Sequence, residues 1–143
     1  LNNNNQSKKR VLFLCTGNSA RSQMAEGFLK ALGGSRFTVT SAGTAPVGVN
    51  PLAIKAMAEV DLDISSHTSD AVSSDLLANI DLLITLCGDA CENCPFVPVK
   101  VEKRHWSLED PARAEGSDEE KLKRFREIRD EIKGYVEKLI AES

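Results

Sequence analysis

Hydrophobic residues fall along this chain in short blocks of two kinds. Val11, Leu12, Phe13 and Leu14 form one unbroken apolar run, and Leu82, Leu83 and Ile84 are the heart of another, running from Asp81 to Leu86. Each has the length and composition of a strand buried on both faces. Elsewhere the apolar positions recur at helical spacing. Met24, Ala25, Phe28, Leu29 and Leu32 predict a first helix that ends at Gly33-Gly34. A strand follows from about Phe37 to Ser41. Asn50 offers an N-cap and Pro51 the first position of a second helix, with an apolar face of Ala53, Ile54, Met57 and Ala58. Ser74 is the expected cap of a short helix through Leu76, Leu77 and Ala78. A last strand is expected between Val97 and His105, centred on Val99 to Lys103, and Trp106 reads as a packing anchor. Ser117 and Glu120 have the spacing of a capping box. Leu122, Phe125, Ile128, Ile132, Val136 and Leu139 then trace the buried stripe of a long C-terminal helix. Strands alternate with helices, so the expected class is α/β: one domain of three layers, with helices on both faces of a four-stranded parallel sheet.

Composition narrows the function classes. The 143 residues carry 18 Lys and Arg against 21 Asp and Glu, a net charge of −3, which leaves no electrostatic footprint for nucleic acid or an anionic membrane. No apolar run approaches the ~18 residues that span a bilayer, and there is no secretory h-region, so the expected location is the cytoplasm. In that setting four cysteines point to catalysis, redox chemistry or metal binding rather than to a disulfide framework. Residues 1–8, rich in Asn, are set aside as a tail, and residues 9–143 are taken as the domain.

The chemistry concentrates at the end of the first strand. Leu14 runs directly into Cys15, the chain turns small and polar through Thr16, Gly17, Asn18, Ser19 and Ala20, and Arg21 stands at the head of the first helix. In an open parallel sheet this end of the strands is where ligands bind. Gly17 and its small neighbours let successive N–H groups turn inward as an anion nest. The helix adds its own unpaired N–H groups and the positive end of its dipole. Arg21 brings a planar fork suited to two oxygens of a tetrahedral anion. Cys15 then lies at the floor of a cup for phosphate or a similar oxyanion, in a field that favours its thiolate, with the Ser22 hydroxyl available to the sulfur. A free cysteine after an apolar run is ordinarily a small hydrophobe. Five residues and then Arg, between a strand and a helix, point instead to a nucleophile.

The second buried run also ends in a cysteine, and Cys87, Cys91 and Cys94 are spaced C-x3-C-x2-C. That spacing is compatible with an iron–sulfur cluster, with structural zinc completed by His105, or with a redox relay in which Cys87 and Cys94 pair after the intervening turn rearranges. The cluster reading needs a larger barrel than this chain can build. Zinc leaves the shared sheet end of Cys15 and Cys87 as coincidence.

The stretch CTGNSARS, Cys15 to Ser22, resembles the signature loop of the low-molecular-weight protein tyrosine phosphatase superfamily. LCGDACENCP and HWSLEDPA, further along, are similar to the thioredoxin-coupled arsenate reductases of that superfamily. The phosphatase branch lacks the second cysteine pair and carries aromatic residues after its Asp-Pro, where this chain has Ala112 and Arg113. From about Arg10 onward the resemblance implies a flavodoxin-like domain of the low-molecular-weight phosphatase type. It implies a monomeric enzyme that reduces arsenate to arsenite in arsenic detoxification, with phosphate and sulfate as substrate analogues and thioredoxin as the regenerating partner. In that scheme Cys15 is the nucleophile, Thr16 to Arg21 bind the oxyanion, Ser22 supports the sulfur and Asp110 is the general acid. Cys87 attacks Cys15, and Cys94 attacks Cys87. No cofactor is required, but some relatives bind potassium beneath the loop; the matching positions are Asn18, Glu26, Ser41 and Asp70, with His67 beside them as in potassium-responsive relatives. Two departures stand out: Ala20 replaces a further loop cysteine of many relatives, and Cys91 is additional. The alternative is a phosphatase acting on phosphotyrosine or small phosphoesters.

Overall fold

The strand formed by the first apolar run is the middle of the molecule. The computed structural model describes residues 8–86, 98 and 100–143. In it β1 (Lys9–Cys15) lies between β2 (Phe37–Gly43) and β3 (Leu82–Thr85), and β4 (Glu102–His105) extends the sheet beyond β3. The order is β2-β1-β3-β4 and every pairing is parallel. Around the sheet lie α1 (Arg21–Gly33), α2 (Pro51–Ala58), α3 (Ser74–Ala78) and α4 (Asp118–Glu142), with single 3-10 turns at Gly34–Arg36 and Pro111–Arg113. Val11 to Leu14 have no solvent exposure, as expected of a strand flanked on both edges and covered on both faces. Successive side chains of β1 divide two cores. Val11, Phe13 and Cys15 face the larger, which is completed by α1, α2 and α4, while Leu12 and Leu14 face a smaller one with Leu77, Ile80 and Val101.

This topology positions the site. From β1 the chain steps outward to β2, then crosses to β3 on the other side of β1. At such a reversal the connections leave in opposite directions, and a crevice opens beyond the carboxyl ends of the central strands. Cys15 is the last residue of β1. Among the described residues no helix is long and apolar enough to cross a membrane.

Several details depart from the pattern-based expectations. Leu32 is 45% exposed; Gly33 faces the core instead, so close to Phe37 that a Cβ there would lie 2.5 Å from the ring. On α2 the buried positions are Ala53, Ala56 and Met57, with Ala58 exposed, because this face meets α4, where the Arg129 guanidinium donates to the Ala56 carbonyl at 2.9 Å. Arg126 and Arg129 also clamp Glu59 at the end of α2, and the Arg126 hydrogen bonds first of all hold its carboxyl down to about 2. The cap of α3 is Ser73, whose hydroxyl accepts from the Leu76 N–H, rather than Ser74. Of the last strand expected between Val97 and His105, Glu102–His105 form β4, four mainly charged residues, while Val97 and Val99 lie outside the described residues. The Ser117–Glu120 capping box and the buried stripe of α4 stand as read. Trp106 is 6% exposed and packs between Phe13 and Tyr135, with ring centroids 5.5 and 5.0 Å away.

Candidate active site

The loop after β1 is held by its carbonyls. The Cys15, Thr16, Gly17 and Ser19 carbonyls accept from the N–H groups of Thr44, Ala45, Val47 and Asn50 at 2.8–3.3 Å. The Asn18 carbonyl accepts from Gln23 Nε2 at 3.0 Å, and Ser69 Oγ adds a second bond to the Gly17 carbonyl at 3.1 Å. In a trans peptide the C=O of one residue and the N–H of the next point in opposite directions. With five consecutive carbonyls engaged in the body of the protein, the N–H groups of the residues that follow each, Thr16 to Ala20, point away from those partners, and Thr16, Gly17, Ser19 and Ala20 line the cleft. The anion nest follows from this bracing, and the start of α1 at Arg21 adds its dipole to it.

Gly43 shows how closely the brace approaches. A Cβ at that position would stand 2.6 Å from the Thr16 carbonyl oxygen and 2.9 Å from the Asn18 nitrogen. Asn18 itself has a left-handed backbone, φ 45°, a conformation that Asn tolerates better than most residues. Its buried side chain accepts from the Asp70 N–H at 2.8 Å and donates to Ser22 Oγ at 2.9 Å. Ser22 Oγ in turn lies 2.9 Å from Cys15 Sγ. Asn18 occupies a lone pair of the hydroxyl, which leaves the hydroxyl proton for the sulfur.

Around Cys15 opens a cleft of about 610 Å3, lined on the loop side by Thr16, Gly17, Ser19, Ala20 and Arg21 and on the other by Leu108, Asp110 and their neighbours. Arg21 Nη1 donates to the carbonyls of Leu108 and Leu86 at 3.1 and 3.4 Å, and Nη2 lies 3.6 Å from Asp110 Oδ2. The other Asp110 oxygen caps the following 3-10 turn by accepting from the Ala112 N–H. A thiol, a loop of braced peptide groups, a guanidinium and a carboxyl group therefore share one concave site. That set can bind a tetrahedral oxyanion, attack its central atom and protonate a departing oxygen.

The family profile described as low molecular weight phosphotyrosine protein phosphatase matches residues 10–143. The chain belongs to that family. Within the family its sequence is 55% identical over 124 residues to the arsenate reductase of Bacillus subtilis, covering 87% of this chain and 89% of the relative. Among solved structures it is similar to an arsenate reductase in the oxidized state, with 40% identity, a TM-score of 0.79, and 94% and 98% of the two chains covered. It is also similar to a thioredoxin-dependent arsenate reductase of Corynebacterium glutamicum, with 29% identity and a TM-score of 0.77, covering 96% of this chain and 63% of that one.

Of the family positions named from the sequence, Cys15, Ser22, Arg21 and Asp110 come together around the cleft. Cys87, Cys91 and Cys94 lie outside the described residues. The four positions matched to potassium fall into hydrogen-bonded pairs: Asn18 with the Asp70 N–H, and Glu26 with the Ser41 hydroxyl. The Lys30 ammonium already pairs with the other Glu26 oxygen, one helical turn along α1. A further cation would have to share that carboxylate.

Gln23 is the participant that sequence reasoning missed. It is fully buried on α1, donates to both the Asn18 and Thr68 carbonyls, and accepts from His67 Nδ1 at 3.0 Å. His67 also lies 3.8 Å from Glu26. Burial pushes its imidazole below the ordinary value while the Glu26 carboxylate pulls the other way. A glutamine on a helix carries no signal that His67 and Thr68, 44 and 45 residues further along the chain, will meet it.

Proposed function

We propose that the protein is an arsenate reductase whose oxidised form is restored by thioredoxin. One observation carries this reading: a phosphate-type cup around Cys15 in a chain 55% identical to an arsenate reductase over 87% of its length. Phosphate and arsenate are shaped alike, so the cup alone does not separate a phosphatase from a reductase. The separation comes from a second requirement. Arsenic(V) is reduced by thiols, so a reductase must supply two electrons and recover them, and Cys87 and Cys94 are suited to do so.

The steps balance as follows. The Cys15 thiolate attacks arsenate held by the loop N–H groups and Arg21; an S–As bond forms, and the departing oxygen leaves as water after taking a proton from Asp110. The Cys87 thiolate attacks Cys15 Sγ. An S–S bond forms, the S–As pair passes to arsenic, and arsenite departs with arsenic reduced by two electrons. Cys94 then attacks Cys87, releasing Cys15 as thiolate. The dithiol of thioredoxin reduces the Cys87–Cys94 disulfide and is itself oxidised. The described chain reaches Leu86 with its carbonyl 3.4 Å from Arg21, and Cys87 is the next residue.

In this reading one copy of the chain suffices, and the reducing cytoplasm supplies the thioredoxin. No metal takes part in the steps; Asn18 and Asp70 tie the loop to its neighbour, Glu26 and Ser41 join α1 to β2, and Lys30 is the cation beside Glu26.

Variants of the relay test the assignment. Cys87→Ser and Cys94→Ser are each expected to abolish thioredoxin-coupled turnover of arsenate while leaving hydrolysis of p-nitrophenyl phosphate measurable. Equal loss of both activities would contradict the relay.

A further inference from the structure

The mouth of the cleft carries a second arginine that the reaction scheme above does not use. Among the described residues four charged side chains line the cleft: Arg21, Glu109, Asp110 and Arg113. Three of them are committed. Arg21, 11% exposed, is held by two carbonyls and faces Asp110. Glu109 pairs with Arg124 of α4 at 2.7 Å. Asp110 is anchored by the Ala112 N–H. Arg113 is 85% exposed, and its one ion-pair contact among the described residues runs from Nε to Asp110 Oδ2 at 4.0 Å. That is too long for a hydrogen bond. The guanidinium stands at the entrance, tethered near the general acid but not locked to it.

A tetrahedral oxyanion seated on the loop N–H groups and Arg21 turns its fourth substituent outward, toward this entrance. The small Ala112 leaves room there. In free arsenate or phosphate the fourth substituent is an oxygen that shares the anion's charge and suits the fork of an arginine. In a monoester it bears carbon and offers the fork less. We infer that Arg113 is a specificity-determining residue, the cation that meets the outward oxygen of a free oxyanion and so favours it over a phosphomonoester. The inference rests on the arsenate-reductase reading.

The test compares wild type, Arg113→Gln and Arg113→Lys in two assays: arsenate reduction coupled to thioredoxin, and hydrolysis of phenyl phosphate with inorganic phosphate as competitive inhibitor. Arg113→Gln is expected to raise the arsenate KM about three- to tenfold, with kcat moving less than KM. The inhibition constant of phosphate should rise in parallel. The ratio of kcat/KM for arsenate to that for phenyl phosphate should fall about fivefold, and Arg113→Lys should recover part of each change. An unchanged arsenate KM in Arg113→Gln would overturn the inference. So would an equal or larger loss on phenyl phosphate, the result of a guanidinium stacked on the ring or of a displaced loop. A wild-type protein that hydrolyses phenyl phosphate but does not reduce arsenate would overturn the underlying reading first, and this inference with it.

Discussion

At the scale of single residues, the sulfur of Cys15, the proposed nucleophile, stands at the end of a chain of two hydrogen bonds. Asn18 donates to Ser22, and Ser22 stands 2.9 Å from Cys15 Sγ. A hydrogen bond to a charged group is worth roughly 1.5–3 kcal/mol, of which about half reaches the rate, because a stabilised thiolate is also a weaker nucleophile. Ser22→Ala is therefore expected to slow alkylation of Cys15 by iodoacetamide at neutral pH by about three- to tenfold, with a similar loss in the first chemical step on arsenate. Unchanged alkylation would mean that the hydroxyl only fills space. The gathering of Cys15, Arg21 and Ser22 at one cleft was legible in the sequence because residue type and spacing put them on one loop after a buried strand. Gln23 and Ser69 were not, because a polar side chain becomes a brace only through carbonyls that the fold brings to it.

At the scale of elements, the loop is a cup because residues 44–50 bind its outer side. Gly43, at the end of β2, is where that segment begins, and its missing side chain sets the approach. Gly43→Ala would drive a Cβ against backbone atoms of Thr16 and Asn18, which cannot swing aside as a side-chain end can. The expected cost is roughly 1–3 kcal/mol, or a fall of about 3–10 °C in melting temperature for a chain of this size, with a raised KM for arsenate as the loop N–H groups shift. A thermal melt and a substrate titration check both; an unchanged melting temperature would contradict the close packing. The elements themselves were legible to different degrees. β1 and β3 announce themselves as runs buried on both faces, and α4 by a stripe repeated over six positions. β4 does not: among the described residues Glu102 to His105 form an edge strand paired with β3 alone, so solvent permits charge where alternation would otherwise appear. The departures in the buried faces of α1 and α2 share one cause, since Phe37 and α4 decide which side of each helix is covered.

At the scale of the whole molecule, fold and chemistry meet at the reversal of strand order. β1 can be wholly buried because β2 and β3 flank it, and the same arrangement opens a crevice at its carboxyl end with Cys15 in the floor. The fold and the cup could therefore be read together from eleven residues, Val11 to Arg21. In the proposed function, reduction adds to the cup a route for two electrons through Cys87 and Cys94. The most direct measurement uses fully reduced protein mixed with arsenate and no external reductant, counting the arsenite released and mapping disulfides in alkylated peptides by mass spectrometry. The account predicts about one arsenite per chain and a Cys87–Cys94 disulfide. No arsenite, with all four thiols still free, would contradict it and make the protein a phosphatase.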